Sequence, residues 1–347
     1  MSTKPNRIAV AVVVLLVTAT IYLAIVRNRY VELDSGYRLV MGTFARVVVV
    51  AKDRAAAEKS IQEAIAQIIK VNDLMSDYKT DSEISRVNRD AVAEPVQVSE
   101  WTYEVITKSI EFSRLTDGAF DITVGPRVDL FRQEKKTGIA PTPEQIADAK
   151  SKIGYEKLVL DDANRTVQFT VEGMRLDLGA IAKGYAVDKA IESARQCGAV
   201  GVMVDIGGDL RCFGRPAGGK SHWLIGLQDP DAVAEQSGGN ELLMTLKVND
   251  AAVATSGDYQ QFAVIEGKRH SHIINRATGS SAEGLSSVTI ITDNTTNADA
   301  LATSVSVIGP EKGIALIESI PNTEAILLTS EPDFKILKTS GADKYIK

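Results

Sequence analysis

The chain is poor in cysteine: only Cys197 and Cys212 occur in 347 residues. They form no CxxC and have no third or fourth partner, which excludes a zinc framework and a disulfide scaffold. One disulfide in an oxidising compartment and two unpaired core thiols both stay open, with the thiols favoured. A basic excess is also missing, since 39 Lys and Arg stand against 45 Asp and Glu for a net charge of −6. Nucleic-acid binding needs a clustered basic face, so that class is excluded. Any phosphorylated ligand must then be held by a local device, such as a metal or a helix N-terminus. No GxGxxG follows a strand, so a Rossmann dinucleotide site has no support. Internal repeats and low-complexity linkers are absent as well.

What is present reads as an ordinary globular chain, 44% hydrophobic and 24% charged. Its length would allow two domains, yet residues 31–347 read as one compact unit. Residues 1–30 stand apart. Ile8 to Val26 is an uncharged run of nineteen residues, flanked by Lys4 and Arg7 before and Arg27 and Arg29 after. As a helix it would reach about 28 Å, close to the hydrocarbon thickness of a bilayer. The expectation is one N-terminal transmembrane helix acting as an uncleaved anchor. A signal peptide cleaved after Thr20 is the alternative, and the near-symmetric flanking charge gives only a weak orientation. No cysteine lies nearby, which excludes a lipid-modified cysteine at a cleaved N-terminus.

Beyond the anchor, 37–51 is rich in Val and reads as a strand. Helical spacing of Ile61, Ile65, Ile68, Ile69 and Leu74 predicts a helix over 55–75, and a second spans 101–116. A hairpin is expected around Asp162-Ala163-Asn164, and a helix over 178–196 stopped by Gly198. Strands follow at 201–206, 223–227, 242–248, 261–265 and 288–292. Helices near 297–308 and 311–320 and a strand at 325–329 complete the reading. Short turns between strands favour antiparallel pairing, so the fold class is α+β with a mostly antiparallel sheet core and packed helices. Gly214 to Ser221 satisfies GxxxxGK[ST], but His222-Trp-Leu-Ile-Gly-Leu227 after it reads as a strand. A P-loop needs a helix there, so that motif is rejected.

Four clusters look chemical: Met41-Gly42-Thr43; Gly118-Ala-Phe-Asp121-Ile-Thr123; Asp177-Leu-Gly179-Ala180-Ile-Ala-Lys183-Gly184; and a set running from Thr255-Ser256-Gly257-Asp258-Tyr259 through His270-Ser-His272 to Asp299 and Thr303. Asp299 and Thr303 are four apart and share a helix face. A carboxylate with a hydroxyl suits a hard cation such as Mg²⁺; the blander reading is a helix-start Asp and a core Thr. Lys183 can meet a phosphate, or it can be a solvated Lys on a tight turn. His272 beside an apolar run is more often structural, and His270 reads as solvent-exposed.

Taken in order, the segments MGTFARVVVV, LMSDYKTDSEISRVN, GAFDITVGP, LDLGAIAKGYAVDKA, VDIGGDL, WLIGLQDP, AVATSGDYQQF, SHIINRATG and ADALATSVSVIG resemble the ApbE family of FAD:protein FMN transferases. The likeness covers nearly all of the chain after the anchor. It implies an α+β fold and Mg²⁺-dependent transfer of FMN from FAD, the substrate, to a Ser or Thr hydroxyl, with release of AMP. It implies an acceptor flavoprotein subunit of a respiratory or redox complex, and an inner-membrane enzyme whose catalytic domain faces the periplasm. It further implies that Met41, Tyr78, Ala119, Phe120, Asp121, Asp177, Lys183 and Ile273 line the FAD site. Asp299, Thr303 and the carbonyl of Ala180 would bind Mg²⁺, and His272 would be the catalytic histidine.

Two departures from the family pattern stand out. Asn275-Arg276 replaces the usual Asp-Pro, which removes a carboxylate that would support His272 or the metal and loosens the turn. Ala302 stands where some relatives place another oxygen. Two other readings of the same residues are hydrolysis of FAD to FMN and AMP, and flavin binding without turnover.

Overall fold

The valine-rich run of Thr43–Ala51 is a strand covered on both faces. Successive side chains point to opposite sides, so Val47, Val49 and Ala51 enter one apolar core while Val48 and Val50 enter a second. A continuous apolar run is the pattern such a doubly buried strand requires. The computed structural model describes residues 7–27, 30–230, 242–257, 262–265, 268–330 and 334–347.

In chain order, α1 (Arg7–Arg27) precedes β1 (Val31–Asp34), β2 (Arg38–Val40) and β3 (Thr43–Ala51). Then come α2 (Arg54–Met75), α3 (Glu83–Asp90), β4 (Val96–Gln97), α4 (Glu100–Leu115), α5 (Gly125–Thr137) and α6 (Pro143–Ser151). The hairpin of β5 (Leu158–Asp161) and β6 (Thr166–Phe169) leads to α7 (Ala182–Gln196). Strands β7 (Gly201–Ile206), β8 (Asp209–Gly214), β9 (Trp223–Gln228), β10 (Leu242–Val248), β11 (Ala251–Gly257), β12 (Phe262–Ile265), β13 (Lys268–Ser271) and β14 (Leu285–Thr292) follow. The chain finishes with α8 (Thr295–Ile308), α9 (Pro310–Glu318), β15 (Glu324–Thr329) and β16 (Ile336–Lys338).

One nine-stranded sheet has the order β1-β3-β7-β8-β11-β14-β15-β16, with β2 also paired to β3. Its pairings are antiparallel, the α+β architecture that the short turns predict. Residues of α2, α4, α7 and α8 join the larger core against one face. The β9–β10 hairpin covers the other, through Trp223, Ile225, Leu227, Leu246 and Val248. Both cysteines are free, Cys212 buried in this second core.

The sequence reading needs correction in several places. The strand expected over 37–51 breaks at Met41-Gly42, a two-residue turn with φ of 52° and 72° that folds β2 back on β3. The helix expected from Leu178 starts at Ala182, because Asp177 Oδ1 accepts from the Gly179 N–H (2.8 Å) and holds the preceding residues in a turn. Residues 125–151 carried no expected element yet form α5 and α6. Proline opens both helices, Gly138 in the left-handed region ends α5, and Thr142 with Gln145 forms a capping box on α6. The rejected P-loop is indeed a connection between two strands, β8 and β9. Asp258, Tyr259 and Gln261 lie outside the described residues. A helix forms over Arg7–Arg27, exposing Val12, Val13, Leu15 and Leu16. Among the described residues, no helix is long and apolar enough to cross a membrane.

Candidate active site

Sheet register gathers the chemical clusters at one end. Ala45 pairs with Ile206, so the Met41-Gly42 turn lies beside the β7–β8 turn, Gly207-Gly208. Gly207 N–H donates to the Phe44 carbonyl (3.0 Å). A Cβ on Gly207 would stand 2.7 Å from the Thr43 hydroxyl, so only glycine permits this approach. Met41 is one of five non-glycine residues described with positive φ, a conformation that costs about 1–2 kcal/mol. Val253 pairs with Leu210, which carries the end of β11, with Thr255 and Ser256, past Asp209.

Two helices aim their starts at this end. Asp188 of α7 accepts from the N–H groups of Thr295 (3.0 Å) and Thr296 (2.8 Å), and Asn294 caps through Asn297 N–H (2.9 Å). These bonds fix the first turn of α8, and with it Asp299. Asp299 Oδ2 accepts the Gly184 N–H (3.0 Å), while Lys183 Nζ lies 3.4 Å from Asp299 Oδ1 and in contact with Asp209 Oδ2. The first backbone bond of α7 is therefore Tyr185 N–H to Ile181, and the Ala180 carbonyl stays outside the helical ladder. Both carboxylates are 3% exposed. Burial opposes the charge on Lys183, but Asp209 and Asp299 outweigh it and raise its pKa. Burial and then the charge of Asp299 raise the pKa of Asp209.

Two buried carboxylates against one ammonium leave a surplus of negative charge. The Thr303 hydroxyl, 3.4 Å from Ser256 Oγ, adds an oxygen. Among the described residues no cluster of three or more His, Cys, Asp or Glu is arranged to hold a metal. A sparse set of hard oxygens suits Mg²⁺, which keeps several waters and shares phosphate oxygens. The Asp299 carboxylate, the Thr303 hydroxyl and the Ala180 carbonyl are donors of the type that such an ion takes.

Asp177 and Tyr78 meet through Arg132 of α5. Arg132 Nη2 donates to Asp177 Oδ2 (3.1 Å), Nη1 to Asp77 Oδ2 (2.7 Å), and its Cζ sits 4.5 Å from the Tyr78 ring centroid. Tyr78 is 77% exposed. Burial and the nearby charge of Asp77 push the Asp177 carboxyl up. Asp177 N–H also donates to the Ile122 carbonyl (2.8 Å), which sets the Ala119-Phe120-Asp121 segment alongside.

In that segment the side chain of Phe120 is buried against Phe112, and the Asp121 carboxylate is fully used. It accepts from the Thr123 N–H (2.8 Å) and hydroxyl (2.7 Å), the Tyr155 N–H (3.1 Å) and Arg276 Nη1 (2.6 Å). Phe120 and Asp121 therefore present only backbone to a ligand. Arg276 belongs to the loop after β13 that carries half-buried His272 and buried Ile273. Together with Ala119, Lys150 and Asn275 it lines a cleft of about 570 Å³. Asn275 Oδ1 accepts from Ala277 N–H (2.9 Å), forming the turn that the usual Asp would form. His270, expected in solvent, is half-buried with Nδ1 3.1 Å from the buried Glu134 carboxylate.

The structure thus joins Lys183 to Asp299, sets Tyr78 against the same arginine as Asp177, and links Asp121 to the His272 loop. Sequence reasoning left Asp209, Arg132 and Arg276 without a role. Asp209 is the next-to-last residue of the VDIGGDL segment, where a double-glycine turn ahead of a carboxylate was the available signal. Arg132 is one charge among many in RVDLFRQEKK and carries no such signal.

Fold and site together define an α+β protein with an acidic, oxygen-rich ligand site at the end of an antiparallel sheet. A family model described as the ApbE family matches residues 41–327. The chain is 33% identical over 296 residues to the FAD:protein FMN transferase of Haemophilus influenzae, covering 84% of each. It is 33% identical over 310 residues to that of Vibrio cholerae, covering 88% of this chain and 90% of the relative. Among solved structures, the ApbE protein of Thermotoga maritima superposes with a TM-score of 0.80 at 31% identity, over 92% of this chain and 99% of that one. The flavin transferase ApbE of Vibrio cholerae gives 0.78 at 31%, over 91% and 99%. The chain belongs to the ApbE family.

Proposed function

We propose that the protein transfers the FMN half of FAD to a Ser or Thr hydroxyl of an acceptor flavoprotein and releases AMP. The observation that carries this reading is the buried Lys183–Asp209–Asp299 group beside Ala180 and Thr303. In the reaction the acceptor oxygen forms a bond to the FMN phosphorus, the pyrophosphate P–O bond breaks, and AMP leaves. Mg²⁺ bound by Asp299, Thr303 and the Ala180 carbonyl would neutralise charge on the phosphoryl oxygens. Lys183 would meet a phosphate or ribose oxygen, and His272 would take the acceptor's proton as general base. Tyr78 offers an exposed aromatic face to a flat ring, while Met41, Ala119, Phe120, Asp121, Asp177 and Ile273 complete the FAD site.

We also propose that residues 1–30 anchor a catalytic unit of 31–347 to the inner membrane, on its periplasmic side, next to an acceptor in a respiratory or redox complex. Support comes from the uncharged run Ile8–Val26 and from the apolar side chains on successive positions of α1. Resistance of the full chain to alkaline extraction from membranes tests the anchor, and its release would refute it.

The deciding experiment mixes the protein with FAD, Mg²⁺ and a Thr-containing acceptor domain, and reads intact mass and AMP. An FMN-sized adduct that needs both FAD and metal is the expected result. AMP without an adduct would mean hydrolysis, and bound FAD with neither product would mean a flavin-binding protein.

A further inference from the structure

Among the described residues, Arg132 is the one side chain that the hydrogen-bond and ring geometry places against both Tyr78 and Asp177. Beyond its own helix, where Asp129 Oδ1 lies 3.4 Å away, its guanidinium edge divides between two carboxylates, Asp77 Oδ2 at 2.7 Å and Asp177 Oδ2 at 3.1 Å, while its face covers the Tyr78 ring at 4.5 Å. These three partners come from two separate segments, the turn after α2 and the turn before α7. Neither segment holds its own residue in place by regular secondary structure. Tyr78 sits in a loop and is 77% exposed as a residue. Asp177 precedes Gly179, in the turn that leads to Ala180 and Lys183. A planar, permanently charged fork can satisfy two carboxylates and stack on a ring at once; an ammonium cannot.

We propose that Arg132 is the positioning residue of the FAD site, holding the Tyr78 ring and the Asp177 turn in the arrangement that accepts the dinucleotide. The proposal rests on the transferase reading above. Without the guanidinium, the Tyr78 ring loses the partner on its covered face and becomes a free surface rotor. Asp177 and Asp77 then repel each other across a partly buried gap. The site must be ordered again by the ligand, which weakens binding and leaves the phosphoryl chemistry at Asp299 and His272 in place.

A second cation of the same network provides the comparison. Arg175 also pairs with Asp77 (3.5 Å) and with Asp129 (3.2 Å). A loss of charge alone would make Arg132→Ala and Arg175→Ala alike; positioning by Arg132 makes them differ.

The test measures FAD binding by quenching of flavin fluorescence, and AMP release as kcat and KM, for wild type, Arg132→Ala, Arg132→Lys and Arg175→Ala. Arg132→Ala should raise Kd and KM for FAD about tenfold with kcat within about threefold. Arg132→Lys should recover less than half of that loss, and Arg175→Ala should stay within about threefold of wild type in both constants. Should Arg132→Ala fail to fold, by loss of a cooperative melt, the lysine variant carries the test alone. Wild-type Kd and KM in Arg132→Lys, or equal weakening in Arg175→Ala, overturn the proposal. Failure of the wild type itself to bind FAD overturns the transferase reading beneath it. Competition by FMN and by AMP, each against Arg132→Ala, then tells which flat ring Tyr78 meets, since only one of the two should lose affinity.

Discussion

Arg276 Nη1 lies 2.6 Å from Asp121 Oδ2, and this contact ties the loop that carries His272 to the Ala119-Phe120-Asp121 segment. Arg276 stands where the family pattern has Pro, and its guanidinium also reaches Glu156 (3.3 Å) and covers the Tyr155 ring at 5.3 Å. Rigidity that a proline would give the turn is replaced by a tether across the site. Gly118 is part of the same fit, because a Cβ there would stand 2.9 Å from the guanidinium.

Arg276→Ala should therefore lower stability by about 2–3 kcal/mol, since it leaves the buried Asp121 carboxylate without its cation. Three neutral donors on Asp121 keep the loss at that level. Chemical denaturation measures it, and a change below about 0.5 kcal/mol would show the pair to be incidental.

His272→Ala should leave FAD bound and slow FMN transfer by about 10²–10⁴-fold, the usual worth of a general base. Binding is read by fluorescence quenching and transfer by the mass of the acceptor. Unchanged transfer would make His272 a structural residue of its loop.

The sheet was legible in the sequence because β-branched runs with short turns admit few other architectures. Lys183, Asp299 and Thr303 were legible through motif order and the i, i+4 spacing. The missing parts share a cause: Arg132 and Arg276 act across 55 and 155 positions of sequence, on Asp77 and Asp121. Local patterning carries no trace of such pairs. Helices α5 and α6 escaped notice because they are short and mostly polar, and their starting prolines read equally well as turns. Met41 was found through its motif, but its strained φ was not, since nothing in Met itself favours a left-handed conformation.

Asp177→Asn should make the protein more stable at pH 7 and bind FAD less well. Burial raises the folded pKa of Asp177 above its ordinary 3.8, so the folded chain binds this proton more tightly than the unfolded chain. Stability then rises as pH falls from neutral through the raised pKa, and the contribution is absent above it. Asn mimics the protonated form at all pH values. Melting temperature should rise at pH 7 and converge with wild type as pH falls to the ordinary carboxylate range. KM for FAD should rise as Arg132 loses one of its carboxylates. A lower melting temperature at pH 7 would mean that the Arg132 pair outweighs the burial of Asp177.

Asp299→Ala should abolish AMP release at any Mg²⁺ concentration, and chelation of divalent ions should do the same to the wild type. The carboxylate is 3% exposed and already engages Lys183 and the Gly184 N–H. Its loss thus removes both the proposed metal ligand and the link between α7 and α8. Full activity of the variant in Mg²⁺ would place the metal elsewhere.

Gly184→Ala separates those two roles. An alanine Cβ at this position would lie 2.3 Å from the Thr295 carbonyl oxygen and 2.9 Å from the Asp299 Cβ. Neither neighbour is a flexible side-chain end, so α8 must move away from α7 as a body. The Asp299 carboxylate keeps its chemistry but shifts relative to Ala180 and Lys183. Overpacking of this kind costs about 1–3 kcal/mol, and a ligand set displaced by a fraction of an ångström binds its metal less well. The apparent Mg²⁺ concentration for half-maximal AMP release should rise about tenfold or more, with activity restored at high Mg²⁺. Gly198→Ala is the matched comparison. Its φ of 92° strains an alanine, but the space around it is open. It should lose about 1 kcal/mol with an unaltered Mg²⁺ dependence. Equal Mg²⁺ dependence in the two variants would mean that the α7–α8 contact supports the fold without setting the metal site.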